Sequence, residues 1–217
     1  MRERNATPWA WHSRIRDPLP PERLPAGFLD RPAEAVAPDL LGCRIASSID
    51  GRQTVGVIVE TEAYVGPHDP ASHAAARIGK TARNATMFQA GGAAYVYLSY
   101  GIHWCLNVVT GREGEGTGVL IRALDPLEGT DVMAERRGRA DQLCSGPGRL
   151  GQALGITGDL DGHRLEHPPL RLLPGWTLPC SAIAVSPRIG IRLAADWPLR
   201  FHIRGHPSVS KARGSAS

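Results

Sequence analysis

The sequence predicts a single α+β domain built around a curved, mostly antiparallel β-sheet with short peripheral helices. Its strand-like runs cluster along the chain, without the regular alternation of strands and helices that is typical of a parallel sheet. The 217 residues include 25 glycines and 18 prolines, which favours short elements and many loops over long helices. A composition of 42% hydrophobic and 21% charged residues is that of a globular chain able to bury a core.

The chain is expected to divide into an arm, one main domain and a tail. Residues 1–25 are rich in proline and arginine, which is typical of an arm rather than a packed element. The main domain is expected at 26–210 and the tail at 211–217. No apolar run reaches the length of a signal peptide or a membrane span, so we expect a cytoplasmic protein without a membrane partner. The net charge of +4 and the pI near 9.1 fit a nucleic-acid partner, and fit a mildly basic soluble protein equally well.

The main domain opens with a short helix and a hairpin. Asp30 is a candidate N-cap for a helix that ends near Leu41. A strand over 44–49 then leads to the turn Asp50-Gly51, a strong signal for an antiparallel hairpin.

The second strand of this hairpin carries the first candidate site residues. Apolar and β-branched residues from Val55 onward indicate a strand that starts in the core. Period-2 geometry then puts Glu60, Glu62 and Tyr64 on one face. A carboxylate at the end of such a strand, beside an aromatic ring, is either solvated or held in a site.

The remaining elements follow a long polar segment, 66–92, with at most one helical turn near 71–76. A loop of this length in a compact domain is typical of function. The elements predicted after it are two strands on either side of Gly101, a strand over 119–126, helices over 130–140 and 145–154, and strands over 181–193 and 199–203.

The tyrosines favour a stacking surface. Three of the four tyrosines in the chain lie in the run YVYLSY, where Tyr95 and Tyr97 share a strand face and Tyr100 falls at the turn. An aromatic core strand is the plain alternative, but buried tyrosine hydroxyls need partners. Arg122 lies within an apolar strand, so it either faces solvent or, facing inward, needs a carboxylate.

Two motif matches are weak because their context is wrong. HRLEH (163–167) matches a zinc-hydrolase signature that works only on a helix, and prolines follow it immediately. GPGRLG (146–151) matches a dinucleotide-binding pattern but lacks the preceding strand. The four cysteines have no zinc-ribbon spacing. We therefore expect no metal and no cofactor, and keep a zinc hydrolase built on HRLEH as a minor alternative.

Seven motifs in order resemble those of the alkyladenine (3-methyladenine) DNA glycosylase family, over residues 28 to 210. They are VETEAY, the segment PHDPASH, TARN with a following MF, YVYLSYG with its C-x-N continuation, VLIRALDPLEG, LCSGPG with QALGI, and SPRIGI. The resemblance implies a single mixed domain with a curved antiparallel sheet. It implies a base-excision repair enzyme that flips alkylated purines out of duplex DNA and hydrolyses the N-glycosidic bond, leaving an abasic site without lyase activity.

The resemblance also implies roles for individual residues. Glu62 corresponds to the general base that activates water, and Arg122 to an arginine that favours its ionised form. Tyr100 corresponds to the wedge that fills the gap left by the flipped nucleotide. The residues implied to form the base pocket are Tyr64, His73, Tyr97, Asn107 and Ile189. Those expected to contact the DNA backbone are Lys80, Thr81, Arg83, Asn84, Met87 and Arg188.

Two alternatives stay open. Glu60 shares a strand face with Glu62, and only the family register separates them as the base. A non-catalytic protein that binds distorted or damaged DNA would need the Tyr100 wedge but not a Glu62–Arg122 pair. The expected partner is double-stranded DNA carrying damaged bases, and the expected form is a cytoplasmic bacterial monomer that joins the nucleoid when bound to DNA.

Overall fold

A computed structural model describes residues 23–210, and it confirms the α+β class. The expected arm, apart from residues 23–25, and the expected tail lie outside the described residues. The helices are α1 (Ala33–Asp39), α2 (Thr130–Arg137) and α3 (Pro147–Leu154). The strands are β1 (Arg44–Ser47), β2 (Thr54–Tyr64), β3 (Ala94–Ser99), β4 (His103–Thr110), β5 (Thr117–Glu128), β6 (Leu170–Leu173), β7 (Ile183–Ser186) and β8 (Arg200–Ile203). No helix within 23–210 is long and apolar enough to cross a membrane.

One antiparallel sheet contains all of these strands, and β2 is its centre. The main order is β3-β4-β5-β2-β1-β6, and β8 joins β2 to β7. Strand β2 pairs with β5 along its length, with β1 at its beginning and with β8 near its end. Every residue of β2 before Tyr64 is buried. The carboxylates near its end are therefore enclosed by neighbouring strands rather than solvated.

Local signals in the sequence predicted both hairpins correctly. Asp50 and Gly51 have φ angles of 56° and 68°, and the strands on either side of them pair antiparallel. Strands β3 and β4 likewise pair across a turn in which Tyr100 and Gly101 have φ angles of 51° and 69°. Left-handed backbone at both central positions matches the right-handed twist of the strands, which explains the glycine in each turn.

Several predicted boundaries were wrong. Pro32 rather than Asp30 precedes α1. The strand expected over 181–193 stops at Ser186, because Pro187 breaks the pairing and the next residues form a loop. Strand β6 was missed because prolines at both ends of this short leucine-rich run made it resemble a loop. The segment 66–92 contains turns and a 3₁₀ turn at Ala85–Phe88 instead of a helical turn near 71–76.

Within residues 23–210, the buried apolar side chains form a core with two parts. The larger part packs the sheet against the helices and includes Ile58, Ile121 and Leu150, all 0% exposed. The smaller part contains Met87, Phe88 and Tyr95, with Tyr97 packed against it. Tyr95 therefore belongs to the core, whereas Tyr97 lies at the edge of the core, where a cavity begins.

Candidate active site

A cavity of about 600 Å³ opens between the end of β2, the β3–β4 hairpin and the loop that follows β7. All five residues predicted for the base pocket line this cavity. So do Arg122, Met87 and Tyr100. The structure thus brings together side chains that are far apart in the sequence, at a volume within the range of small-molecule sites.

Glu62 lies directly behind the cavity wall. Its side chain is 0% exposed. The backbone N–H of Ile189 donates to Oε1 at 2.7 Å, and Oε2 accepts from the Tyr64 hydroxyl and from Arg122 Nη1, each at 3.2 Å. All three donors belong to residues that line the cavity. The Glu62 carboxylate is therefore hydrogen-bonded to the residues that line the cavity.

Burial controls the ionisation of Glu62. Loss of solvation raises the pKa of Glu62, and repulsion from Glu60 adds to the increase. Arg122, the Ile189 N–H and the Tyr64 hydroxyl favour the ionised form, but they offset only part of the effect. Arg122 thus acts in the predicted direction, and Glu62 is still a stronger base than an exposed glutamate.

Glu60 has the opposite electrostatic character. Burial by itself raises its pKa, but Arg122, Arg200 and the donors of Ser210 together lower the pKa below its ordinary value. Arg200 Nε donates to its Oε1 at 2.7 Å, and Arg122 Nε donates to the same oxygen at 3.1 Å. Neither glutamate lines the cavity itself, but Glu62 accepts from the lining residues Tyr64 and Ile189, whereas Glu60 accepts from neither. Its carboxylate oxygens are already occupied by hydrogen-bond donors, so Glu60 is suited to holding Arg122 in place and not to accepting a further proton.

Arg122 connects the two glutamates. Its guanidinium is 8% exposed and contacts both carboxylates. In the pairing of β2 with β5, Glu60 opposes Ala123 and Thr61 opposes Ile121, so Arg122 lies at an irregularity of the ladder. Of the two possibilities for an arginine in this strand, the structure confirms the inward one with a carboxylate partner.

Tyr64 forms a wall with a cation behind it. The Arg188 guanidinium lies 4.7 Å from the Tyr64 ring centroid. Burial, followed by the charge of Glu62, raises the pKa of Tyr64 well above its ordinary value. The phenol therefore stays protonated and donates to Glu62.

His73 and Tyr97 form one wall together. Their ring centroids are 4.5 Å apart in an edge-on arrangement, and Tyr97 stacks on Tyr95 at 5.5 Å. No slot for a base exists between His73 and Tyr97 in this arrangement. Burial, and then the charge of Arg83, lowers the pKa of His73. The imidazole is thus neutral at pH 7, and its Nδ1 lies 2.9 Å from the Tyr95 hydroxyl.

Asn107 is held by the neighbouring strand. It is 5% exposed and opposes Tyr95 in the β3–β4 ladder. Its amide nitrogen donates to the Tyr95 carbonyl at 3.1 Å. Its rotamer at the cavity wall is therefore fixed by a strand contact.

The hairpin tip presents two apolar side chains to solvent. Tyr100 is 87% exposed and Ile102 is 70% exposed. A tyrosine with φ of 51° is uncommon, and strain of this kind is typical of functional turns. Ile102 was not singled out in the sequence, although its position two residues from the wedge candidate was a usable signal.

The residues predicted to contact the DNA backbone fall into two groups. Lys80, Thr81 and Arg83 are exposed on the loop beside the cavity. Asn84 and Met87 are each 3% exposed. The Asn84 amide donates to the carbonyls of His73 and Gly79, each at 2.8 Å, so this side chain orders the loop instead of facing a phosphate. Met87 packs in the smaller core and reaches the cavity.

Arg188 was also predicted to contact the DNA backbone, but it is enclosed in the protein. Its side chain and that of Asp69 are both 0% exposed. Nη1 and Nη2 donate to the two Asp69 oxygens at 2.5 and 2.9 Å, and Nη1 also donates to the Ala63 carbonyl at 3.0 Å. A guanidinium enclosed in this way does not face a DNA phosphate. The pair instead ties the loop after β7 to the end of β2.

Neither weak motif acquires the context that it needs. HRLEH forms turns and an isolated bridge, and within 23–210 no group of three or more His, Cys, Asp or Glu could hold a metal. GPGRLG begins α3 at Pro147, which lines the cavity, and no regular strand precedes it directly.

Comparison with known proteins agrees with these observations. The family model described as methylpurine-DNA glycosylase matches residues 27–207. A protein from Burkholderia lata is 48% identical over 192 residues, covering 86% of this chain and 90% of its own. One from Methanoculleus marisnigri is 48% identical over 193 residues, covering 87% of this chain and 98% of its own. Both relatives carry a provisional name, 3-methyladenine DNA glycosylase.

Proposed function

The chain belongs to the methylpurine-DNA glycosylase family, and on this premise we propose that it flips alkylated purines of the 3-methyladenine type out of duplex DNA. It hydrolyses their N-glycosidic bond with a water activated by Glu62 and leaves an abasic site. It acts as a monomer on damaged double-stranded DNA and needs no cofactor.

The environment of Glu62 carries this proposal. A buried carboxylate with a raised pKa lies behind a cavity that its own partners line. Among residues 23–210, Ile189 alone donates to Glu62 Oε1, which leaves a lone pair on that atom for the proton of a water. Glu60 has no comparable capacity, because Ser210 and two arginines occupy its oxygens. The geometry therefore supports Glu62 as the base.

The chemical step follows from this arrangement. The water oxygen bonds to C1′ as the bond from C1′ to the purine nitrogen breaks, and the electron pair of that bond leaves with the purine. The proton of the water goes to Glu62. The negative charge of Glu62 stabilises the positive charge that develops on the sugar. Arg122, fixed by Glu60, holds the carboxylate in place.

The aromatic walls favour the lesion. Alkylation at N3 or N7 of a purine gives the base a positive charge, and π-faces attract such a cation by roughly 1–2 kcal/mol per desolvated contact. Because His73 and Tyr97 are in mutual contact, the base enters between this wall and Tyr64. Asn107, by analogy with the family, excludes guanine through a clash with its amino group.

Hydrolysis rather than lyase chemistry is expected. None of the described residues that line the cavity is a lysine, so no amine is available there to form a Schiff base with the sugar.

The test is an assay on oligonucleotides that each carry one lesion. We expect the wild-type protein to release free 3-methyladenine from duplex DNA and to leave an intact strand with an alkali-labile abasic site. Lesion DNA that is bound but stays intact on prolonged incubation would favour the non-catalytic binder instead. Covalent trapping of the protein on DNA by borohydride would show a Schiff base with the sugar and would contradict the expectation that the protein has no lyase activity.

Tyr100→Ser is expected to slow excision from duplex DNA more than from single-stranded DNA. The tyrosine fills the gap left by the flipped nucleotide, and only a duplex requires a base pair to be broken. With stacking worth about 1–3 kcal/mol per base, the duplex rate should fall by roughly 5- to 150-fold. Single-turnover rates on the two substrates measure the difference.

The matched control is Ile102→Ser, which removes an apolar side chain from the same hairpin tip. Its smaller side chain offers less stacking surface, so the loss on duplex DNA should be smaller. Equal losses for Tyr100→Ser on duplex and single-stranded DNA would be incompatible with the wedge role.

A further inference from the structure

The last described residue, Ser210, lies against the charged centre behind the cavity. Its backbone N–H donates to Glu60 Oε2 at 2.8 Å, and its hydroxyl lies 2.7 Å from both Glu60 oxygens. Arg122 Nη2 donates to the same hydroxyl oxygen at 3.4 Å. Arg200 Nη2 donates to the Ser210 carbonyl at 3.0 Å. One serine thus contacts three of the buried charges around Glu62.

The segment that brings Ser210 to this place is itself anchored. His206 is 5% exposed, and its Nε2 lies 3.4 Å from Asp125 Oδ2. The backbone N–H of Ser208 donates to His206 Nδ1 at 3.1 Å. Val209 packs against the larger core. The position of Ser210 is therefore set by packed neighbours on β5 and in the core.

We propose that Ser210 is a positioning residue that keeps Arg122 in contact with Glu62, an inference that rests on the proposed function of Glu62. The Arg122 guanidinium binds two carboxylates at the same time. Glu60 takes Nε and Glu62 takes Nη1, while Ser210 accepts from Nη2. The hydroxyl gives Glu60 a donor that does not come from Arg122, and it holds the free end of the guanidinium in line with Glu62.

This double task explains why a hydroxyl is suited to the position. A hydroxyl both donates and accepts, so it can serve Glu60 and Arg122 at the same time. Without it, Glu60 loses a donor and draws Arg122 closer, and the guanidinium moves away from Glu62. Loss of a counter-charge favours the neutral form of a carboxyl group. The base would then be ionised only at higher pH.

The test compares pH profiles. The acid limb of single-turnover excision reports the ionisation of Glu62, because only the ionised form accepts a proton. In Ser210→Ala we expect this limb to move to higher pH by about half a unit or more. An apparent pKa that is unchanged or lowered would overturn the proposal, whatever the stability of the variant.

Two further variants separate positioning from general weakening. Ser186→Ala is the matched control, because Ser186 Oγ accepts from Arg200 Nη1 at 3.0 Å but makes no hydrogen bond to Glu60 or Arg122. We expect its acid limb to match that of the wild-type protein. Ser210→Thr keeps the hydroxyl and should restore the wild-type limb. Equal shifts in Ser186→Ala and Ser210→Ala, or no restoration by threonine, would count against the role.

A second readout does not depend on activity. Carbon-13 NMR of glutamate-labelled protein, with the Glu62 signal assigned from Glu62→Gln, follows the titration of Glu62 directly. The same upward shift is expected in Ser210→Ala. If the wild-type protein excised no alkylated purine, the proposed function would fail, whereas this titration would still decide whether Ser210 controls Glu62.

Discussion

Glu62→Gln is expected to lower single-turnover excision of 3-methyladenine by about three orders of magnitude or more, with binding of lesion DNA retained. Glutamine preserves the shape of the side chain and can still accept from the Ile189 N–H. It cannot take the proton of the water, and it offers no charge to the developing cation at C1′. A variant as active as the wild-type protein would show that another group is the base.

The same substitution should not lower stability at neutral pH. The pKa of Glu62 is raised in the folded protein, so the folded state binds this proton more tightly than the unfolded state. Keeping the carboxylate ionised in the interior therefore costs stability above the unfolded pKa, and glutamine removes that cost. Arg122 keeps Glu60 as its counter-charge in this variant. We therefore expect the midpoint of urea unfolding at pH 7 to stay the same or rise. Stabilisation with loss of activity is the pattern typical of a buried catalytic group.

Glu60→Gln is the matched comparison, because the two residues share a strand face. The pKa of Glu60 is lowered in the folded protein, so its charge contributes stability that is present above the unfolded pKa and is lost as the pH falls through the folded pKa. Glu60→Gln should therefore unfold at lower urea concentration at pH 7, and the difference should shrink toward acid pH. If both variants lost stability alike, the proposed difference between Glu60 as a structural ion-pair partner and Glu62 as the catalytic base would be wrong.

How far the sequence could predict this fold depends on the range of the signals. The Asp50-Gly51 hairpin and the tyrosine hairpin were predictable, because turn chemistry and period-2 patterning are local. Strand β6 was not predictable, because prolines flank it and its partner β1 lies more than a hundred residues earlier in the sequence. The residues after Pro187 were predicted to continue a strand, but they form the loop that places the Ile189 N–H on Glu62.

The site divides in the same way. Glu62, Arg122 and the aromatic walls were found from motifs that resemble a family, and the structure brings them together. The supporting groups were missed, since no local pattern connects Arg200 to Glu60 across 140 residues or Arg188 to Asp69 across 119. A lone buried arginine in a sequence indicates that a carboxylate partner exists, but only the fold identifies it.

The Asp69–Arg188 pair leads to the largest expected change in stability. Asp69→Asn leaves the Arg188 guanidinium enclosed, at 0% exposure, without its counter-charge. Breaking a buried ion pair from one side costs about 3–5 kcal/mol of unfolding free energy. The loss should also reach the cavity, because Arg188 packs on Tyr64 and Asp69 accepts from the Ala71 N–H in the loop that carries His73. Urea unfolding followed by tryptophan fluorescence measures the first effect, and excision rates measure the second.

Asp141→Asn provides a control, because it removes the carboxylate of another bidentate arginine pair that is exposed to solvent. Arg139 donates to both Asp141 oxygens at 2.8 and 2.7 Å, but the two side chains are 45% and 64% exposed. Solvent and salt screen a pair of this kind, so its loss should leave the unfolding midpoint unchanged. A large loss for Asp69→Asn beside no loss for Asp141→Asn would assign the difference to burial. Equal midpoints for the two variants would mean that Arg188 finds another partner or water. The Asp69–Arg188 pair would then not be what keeps Arg188 packed on Tyr64.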